Sequence, residues 1–264
     1  MILQSVSSEE RFQLLQMKDI HGRTALHWAT GTVSVDTVEI ILQSVSSEER
    51  LQLIQMKDNF GITILLLAAK MPAAEGTELV MRILQTVGSD KRLQLLQTKD
   101  NEGMTILHKA STNDTAEIAH LVLESVNEEE CCVLLSTQDN RKFTPIQWAC
   151  LYNNAKVLGM MVRLTTEETW YRALQKAGDD GSTCLHHLAS WNLKQAIKFI
   201  TEPLTAQHLI RLLRITDNEG RTPLQCVKVN YLEPHGTAEL LRDYQTKALI
   251  DVALQQTDKT GTNY

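Results

Sequence analysis

Apolar and polar positions fall into three recurring blocks along this chain. One is a brief apolar run opened by a threonine, as in TALHWA (Thr24–Ala29) and TILHKA (Thr105–Ala110). A second is longer and places apolar residues at helical spacing, as in VDTVEIILQSV (Val35–Val45) and AEIAHLVLESV (Ala116–Val126). The third opens on polar residues and then carries an apolar triplet: Phe12, Leu14, Leu15; Leu51, Leu53, Ile54; Leu93, Leu95, Leu96. The triplet returns as Cys132, Leu134, Leu135; Tyr171, Ala173, Leu174; and Ile210, Leu212, Leu213, always at one distance before the next threonine. This pattern predicts three helices per unit, the third being part of the unit and not a loop. Two copies of the joint between blocks are identical: ILQSVSSEER occupies Ile2–Arg11 and again Ile41–Arg50.

The units meet at a turn. DIHGRTALHWA (Asp19–Ala29), DNFGITILLLA (Asp58–Ala68), DNEGMTILHKA (Asp100–Ala110), DNRKFTPIQWA (Asp139–Ala149), GDDGSTCLHHL (Gly178–Leu188) and DNEGRTPLQCV (Asp217–Val227) align without gaps. Their threonines, Thr24, Thr63, Thr105, Thr144, Thr183 and Thr222, are spaced by 39, 42, 39, 39 and 39 residues. A fixed period of this size is the signature of stacked-repeat architecture. In Asp-Asn-Glu-Gly the aspartate accepts backbone hydrogen bonds and the glycine closes the turn. The threonine that follows can cap the first helix. Gly31 and Val33, Asn153, and Asn192 mark the joints between first and second helices, where a left-handed residue is expected. Ser7 with Glu10, Ser46 with Glu49 and Asn127 with Glu130 read as capping boxes that open the third helix.

The D-x-x-G-x-T-x-L-H pattern resembles the ankyrin repeat, a β-turn plus two antiparallel helices of about 33 residues. Thr24, Leu26, His27 and Ala29 match that pattern, as do Thr105, Leu107, His108 and Ala110. Thr144-Pro145 and Thr222-Pro223-Leu224 match its Thr-Pro-Leu form. The resemblance covers essentially the whole chain. It departs in length, because the family's short G-A-D-x-N connection is replaced here by the third helix. A HEAT or armadillo stack has a compatible period of about 40–47 residues, but no need of a repeated β-turn tip. The resemblance implies an all-α, ankyrin-like repeat solenoid: six turn motifs, with two long-repeat helices and an extra short helix per unit. One array is expected over 1–264, with partial units at 1–18 and 245–264. ILQSV at the start aligns with the end of a second helix, and LQQTDKTG (Leu254–Gly261) resembles the opening of another turn. Such ends suit a segment of a longer repeat protein.

Composition narrows the function. Hydrophobic residues are 43% of the chain, enough for a continuous core, while aromatics are only 5%, favouring Leu-rich helices over a β-sandwich. A net charge of −6 opposes a nucleic-acid or anionic-membrane surface. The longest apolar run, Ile64–Ala69, is far short of the roughly 20 residues a membrane span needs, so no direct membrane insertion is expected. The opening MILQSVSSEERF lacks the basic start and apolar run of a signal peptide. Cys131, Cys132, Cys150, Cys184 and Cys226 form an odd set without framework spacing. A cytoplasmic chain with reduced thiols follows, with the nucleus as the other compartment.

No motif reads as catalytic machinery. Cys184-Leu185-His186-His187 could suggest a metal or nucleophile cluster. Yet His186 occupies the repeat slot of His27 and His108, where the resemblance implies a structural hydrogen bond across neighbouring turns. Zinc would want separated ligand pairs, and the chain has no C-x₂-C. GDDGST (Gly178–Thr183) lacks the Gly-Lys-Ser/Thr ending of a phosphate loop and falls on the turn slot. Glu128, Glu129 and Glu130 stand in a first helical turn, where carboxylates oppose the helix dipole. Asn113-Asp114-Thr115 is a glycosylation sequon by pattern, relevant only to a secreted chain. The expectation is a non-enzyme that needs no cofactor and no metal.

The resemblance also implies a concave groove, lined by the turn tips and the exposed face of the first helices. The residue four after each threonine should face it: Trp28, Leu67, Lys109, Trp148, His187 and Cys226. The turn tips add His21, Arg23, Phe60, Met104, Arg141, Phe143 and Arg221, and Tyr152 and Trp191 lie farther along the first helices. Large aromatics interleaved with Arg and His resemble the composition of protein-binding hot spots. Trp28, Phe60, Leu67, Arg141, Phe143, Trp148, Tyr152, His187, Trp191 and Arg221 are therefore the candidate partner-binding residues. The competing role for Trp28 and Trp148 is packing between units. The function expected is a monomeric, non-catalytic scaffold that captures a protein partner in the groove. The alternatives are the cytosolic regulatory arm of a larger enzyme or membrane channel, and an architectural or designed spacer. The charges of the third helix, such as Glu48, Glu49 and Arg50, are expected to be solvated surface.

Overall fold

Turn, cap and helix chemistry repeat along the chain, and the stack follows from them. The computed structural model describes residues 7–113, 115–227 and 236–260. Among these are seventeen α-helices and no strand. Helix α1 (Ser8–Gln16) precedes the first turn, followed by α2 (Ala25–Gly31), α3 (Val35–Gln43) and α4 (Ser47–Gln55). The next units contribute α5 (Ile64–Ala68), α6 (Ala73–Thr86), α7 (Ser89–Leu96), α8 (Ile106–Thr112), α9 (Ala116–Glu124) and α10 (Glu128–Ser136). Then come α11 (Pro145–Leu151), α12 (Ala155–Arg163), α13 (Glu167–Leu174), α14 (Cys184–Ser190), α15 (Lys194–Thr201) and α16 (Ala206–Arg214). A long α17 (Gly236–Thr260) ends the described chain. Like packs on like: first helices contact first helices, as α8 with α11, second helices second, as α9 with α12, and third helices third, as α10 with α13.

Four of the six turns are tied twice. Asp19 Oδ1 accepts from the N–H groups of His21 and Arg23, both at 2.8 Å, and Asp58, Asp100, Asp139 and Asp217 repeat the arrangement. The asparagine that follows reaches back to the preceding unit. Asn59 donates its N–H to His21 O at 3.0 Å and its side-chain amide to Ile20 O at 3.1 Å. Asn101, Asn140 and Asn218 do the same, forming a ladder along the row of turns. Histidine supplies a third link. Nδ1 of His27, His108 and His186 accepts the N–H of Thr24, Thr105 and Thr183, which fixes the proton on Nε2. That Nε2–H donates to Ile62 O, Phe143 O and Arg221 O of the next unit, at 2.9, 3.0 and 2.9 Å.

The third helix is built into the core. Leu53, Ile54, Leu95, Leu96, Leu134, Leu135, Leu212 and Leu213 are all buried to within 1%. The three capping boxes form as expected, with Ser7, Ser46 and Asn127 accepting from, and donating to, Glu10, Glu49 and Glu130. Arg50 is not the solvated charge expected of it. Its Nε donates to Leu42 O at 2.7 Å, while Arg11 and Arg92 in the same slot reach Ser44 O (2.9 Å) and Ser125 O (3.0 Å). These carbonyls end the second helices and lack intrahelical partners, so a half-buried guanidinium is the natural group to satisfy them. In α13 that slot holds Trp170, 1% exposed, whose indole N–H donates to Ile200 O at 2.9 Å.

Two joints carry corrections. The left-handed residue between α2 and α3 is Val33 (φ 60°), with Asn153 (φ 51°) and Asn192 (φ 56°) as expected; Gly31 is helical. At the sixth turn Pro223–Cys226 makes a single 3₁₀ turn in place of a first helix. Helix α17 then packs along α16, burying Leu240, Leu241 and Ala248. Leu254–Thr260, expected to open another turn, continues this helix. No glycine or proline interrupts Thr237–Thr260, so helix propensity carries the chain through it. Of the partial unit expected at 1–18, Ser8–Gln16 forms a third helix, and positions 1–6 lie outside the described residues.

Candidate protein-binding groove

Four residues after the threonine, the side chain leaves the first helix toward its own turn. There the second oxygen of the turn aspartate meets it. Trp28 Nε1 donates to Asp19 Oδ2 at 3.0 Å, and Trp148 Nε1 to Asp139 Oδ2 at 2.8 Å. Lys109 Nζ lies 2.6 Å from Asp100 Oδ2 in the same slot. Neither Trp28, 51% exposed, nor Trp148, half-buried, belongs to the core; the buried indole is Trp170.

Six of the ten candidate residues converge across the fourth and fifth units. Phe143, at a turn tip, stands edge-on to Trp148, His187 and Trp191, with ring centres 5.7, 5.5 and 5.4 Å away. His187 stacks on Trp191 at 5.4 Å, and Tyr152 lies 5.8 Å from Trp148. The Arg141 guanidinium sits 5.9 Å from the centre of the Trp148 ring, a cation–π distance. Burial lowers the His187 pKa, so the ring stacks as a neutral imidazole. The other four residues stand apart. Trp28 is covered by Arg23 at 5.6 Å, Phe60 is exposed on its own tip, Leu67 is half-buried in α5, and Arg221 is paired with Asp217 and Glu219, both at 2.8 Å.

Trp148 and Tyr152 form one wall of a cavity of about 490 Å³. The third unit supplies the facing wall with Glu102, Met104 and Lys109, and Lys70 stands at the rim. Sequence reasoning missed Lys70. Its place at the end of the second unit's first helix, just before Met71-Pro72, is the signal that could have found it.

The possible chemical motifs are absorbed by the scaffold. His186 bridges two units, and both of its ring nitrogens are engaged. Contact with Cys150 and complete burial hold the Cys184 thiol well above its ordinary pKa, and burial pushes Cys131 up to about 11. Such thiols stay protonated and are poor nucleophiles. All five cysteines are free. GDDGST folds as a turn, with Gly181 N–H donating to Gly178 O at 3.0 Å. Glu128 accepts from the hydroxyls of Thr166 and Thr169, and Glu129 pairs with Arg172 at 2.8 Å, so these carboxylates join α10 to α13. Asn113 donates to Ala69 O at 3.0 Å, while Asp114 of the sequon lies outside the described residues. Among the described residues no group of three or more His, Cys, Asp or Glu side chains could hold a metal ion, and no helix is long and apolar enough to cross a membrane.

No protein-family model matches the chain, and no curated protein matches it in sequence. Solved structures do share its fold. The ankyrin repeat domain of Bcl-3, of the IkappaB protein family, is similar with a TM-score of 0.63 and 16% identity, over 91% of this chain and 95% of that one. A chain from the Bd0816 predatory endopeptidase of Bdellovibrio bacteriovorus in complex with immunity protein Bd3460 is similar with a TM-score of 0.54 and 20% identity, over 86% and 99%. The fold is that of an all-helical ankyrin-repeat solenoid, here with an added third helix in each unit.

Proposed function

We propose that this chain is a non-catalytic protein-interaction scaffold that holds a protein partner in its concave groove. Arg141, Phe143, Trp148, Tyr152, His187 and Trp191 form the anchor. The observation that carries this reading is their convergence into one patch that is not sealed into the core. The Trp148 N–H is already bound to Asp139, so the indole offers a partner its ring face. Stacked units hold these rings in place before binding, which lowers the ordering cost of association. Trp28, Phe60, Leu67 and Arg221 continue the same row of slots and serve as outlying contacts. One of the similar chains comes from a protein–protein complex, which agrees with this use of the fold.

The test is affinity capture from cell extract with the wild-type chain and with Phe143→Ala/Trp148→Ala/Trp191→Ala, both checked for helicity by circular dichroism. Partners lost only from the variant support the groove. Identical partner sets with both proteins would reject it.

A further inference from the structure

We propose that the cavity beside Trp148 receives an acidic side chain, Asp or Glu, from an extended partner segment whose neighbouring large apolar side chain lies on Trp148 and Tyr152. This rests on the groove reading above and names the chemistry of the partner.

Unused donors mark the cavity. Lys109 lines the cavity with only 8% of its side chain exposed. An ammonium has three protons to donate. Asp100 at 2.6 Å and the Met104 sulfur at 3.2 Å take two, and Glu102 at 3.9 Å is outside hydrogen-bond range. One donor is left for an acceptor entering the cavity. Lys70 and Arg141 stand exposed on the rim, and neither makes an ion pair among the described residues. Arg141 faces the Trp148 ring and keeps a guanidinium fork suited to a carboxylate.

The local carboxylates are already committed. Asp139 accepts from the N–H groups of Arg141 and Phe143 and from the Trp148 indole. Asp100 accepts from Glu102 and Met104 N–H and from Lys109. Lys109 is thereby matched by Asp100, and the rim cations Lys70 and Arg141 share the cavity with Glu102 and Asp139 without a side-chain hydrogen bond to either. What the site offers an entering carboxylate is donors that no acid among the described residues takes up: one Lys109 proton, the Lys70 ammonium and the Arg141 fork. At about 490 Å³ the space suits one or two side chains, and the rings beside it supply the apolar contact.

The experiment is selection of a random-peptide library on the intact chain, with counter-selection on Trp148→Ala/Tyr152→Ala. The enriched peptides are expected to carry Asp or Glu adjacent to Phe, Trp or Leu. Lys70→Glu/Arg141→Glu, both at exposed positions, should weaken the best peptide by about tenfold or more. A Lys-for-Glu peptide should recover binding to that charge-reversed protein. Four results would overturn the proposal: no enrichment, enrichment without acidic residues, affinity unchanged by the charge reversal, or a phosphoserine peptide much tighter than its Glu form, which would reassign the site to phosphate. Loss of partners from the Phe143/Trp148/Trp191 variant, together with any of these, would leave the groove reading standing and remove only the acidic partner.

Discussion

Two neighbouring joints of the stack are built from different chemistry. Between the third and fourth units, Asn140 reaches back with its N–H to Glu102 O (3.0 Å) and its amide to Asn101 O (2.9 Å). Lys99 Nζ donates forward to Gln138 O at 2.7 Å, and His108 to Phe143 O at 3.0 Å. Between the fourth and fifth units, the asparagine is replaced by Asp179 and the turn aspartate by Gly178. Lys142 occupies the slot that is glycine in the other turns, at φ 67°. What joins these units is side-chain contact: Lys142 with Asp179 at 2.9 Å, Gln138 with Ala177 O at 3.3 Å, and the rings of Phe143, His187 and Trp191. The glycine is needed where an asparagine lies on it. Where the asparagine is gone, a lysine fits, and the joint freed from the ladder is the one that carries the aromatic patch.

The most damaging test of this contrast is Gly103→Ala. Gly103 has φ 80°, and a Cβ there would lie 2.5 Å from Asn140 Oδ1 and 2.6 Å from its N. A left-handed alanine costs about 1–2 kcal/mol and each lost ladder bond about 1 kcal/mol, so a loss of about 3–4 kcal/mol is expected in urea unfolding. A loss below about 1 kcal/mol would show that the ladder does not set the glycine requirement.

Acid should separate the joints nearly as sharply. Burial lowers the pKa of His27 and His186, and brings that of His108 to about 4. The fold holds these rings neutral, because Nδ1 must accept the threonine N–H. Folded values below the unfolded value of about 6.5 mean that stability is fully present above that pH and is lost as pH falls toward about 4. His108 alone accounts for about 3 kcal/mol over this window. Gln147 fills the equivalent slot in the fourth unit, where its Oε1 accepts the Thr144 N–H at 2.7 Å without a titrating proton. His108→Gln should lose about 1 kcal/mol at neutral pH and flatten the acid dependence. An unchanged pH profile in that variant would remove His108 from the account.

Much of this was legible in the sequence because each slot has one local job. The turns and the capping boxes follow from residue type and phase, and the bridging histidines from the family resemblance. The third helices bury the last two residues of every triplet but the first, where Leu14 is exposed. The phase also put Trp148 and His187 in equivalent slots of neighbouring units, where both meet Phe143. It did not show that Phe143 would touch both His187 and Trp191 while Phe60 and Trp28 stand apart, because that depends on which side chains meet across two units. Arg50 was misread for a related reason. Its partners are carbonyls of the helix before it, and orphan carbonyls leave no mark in a pattern of side chains. The course of α17 was hidden because LQQTDKTG keeps the letters of a turn within a run of good helix formers.

The finest comparison is Lys142→Gly, which restores the ladder's glycine at the joint that has lost its asparagine. Relief of a left-handed lysine contributes about 1–2 kcal/mol, and the added chain entropy of glycine offsets about 0.5–1 kcal/mol of it. The ion pair with Asp179 is exposed, with side chains 49% and 79% accessible, and such pairs contribute little. A net gain of about 0.5 kcal/mol is expected in urea unfolding, against the large loss at Gly103. Because no asparagine waits at position 179, the new glycine gains no ladder bond, and Lys142→Gly/Asp179→Asn should exceed the sum of its two single variants. Strict additivity in that double-mutant cycle would mean that glycine and asparagine were lost independently, and that the aromatic joint did not arise by releasing them as a pair.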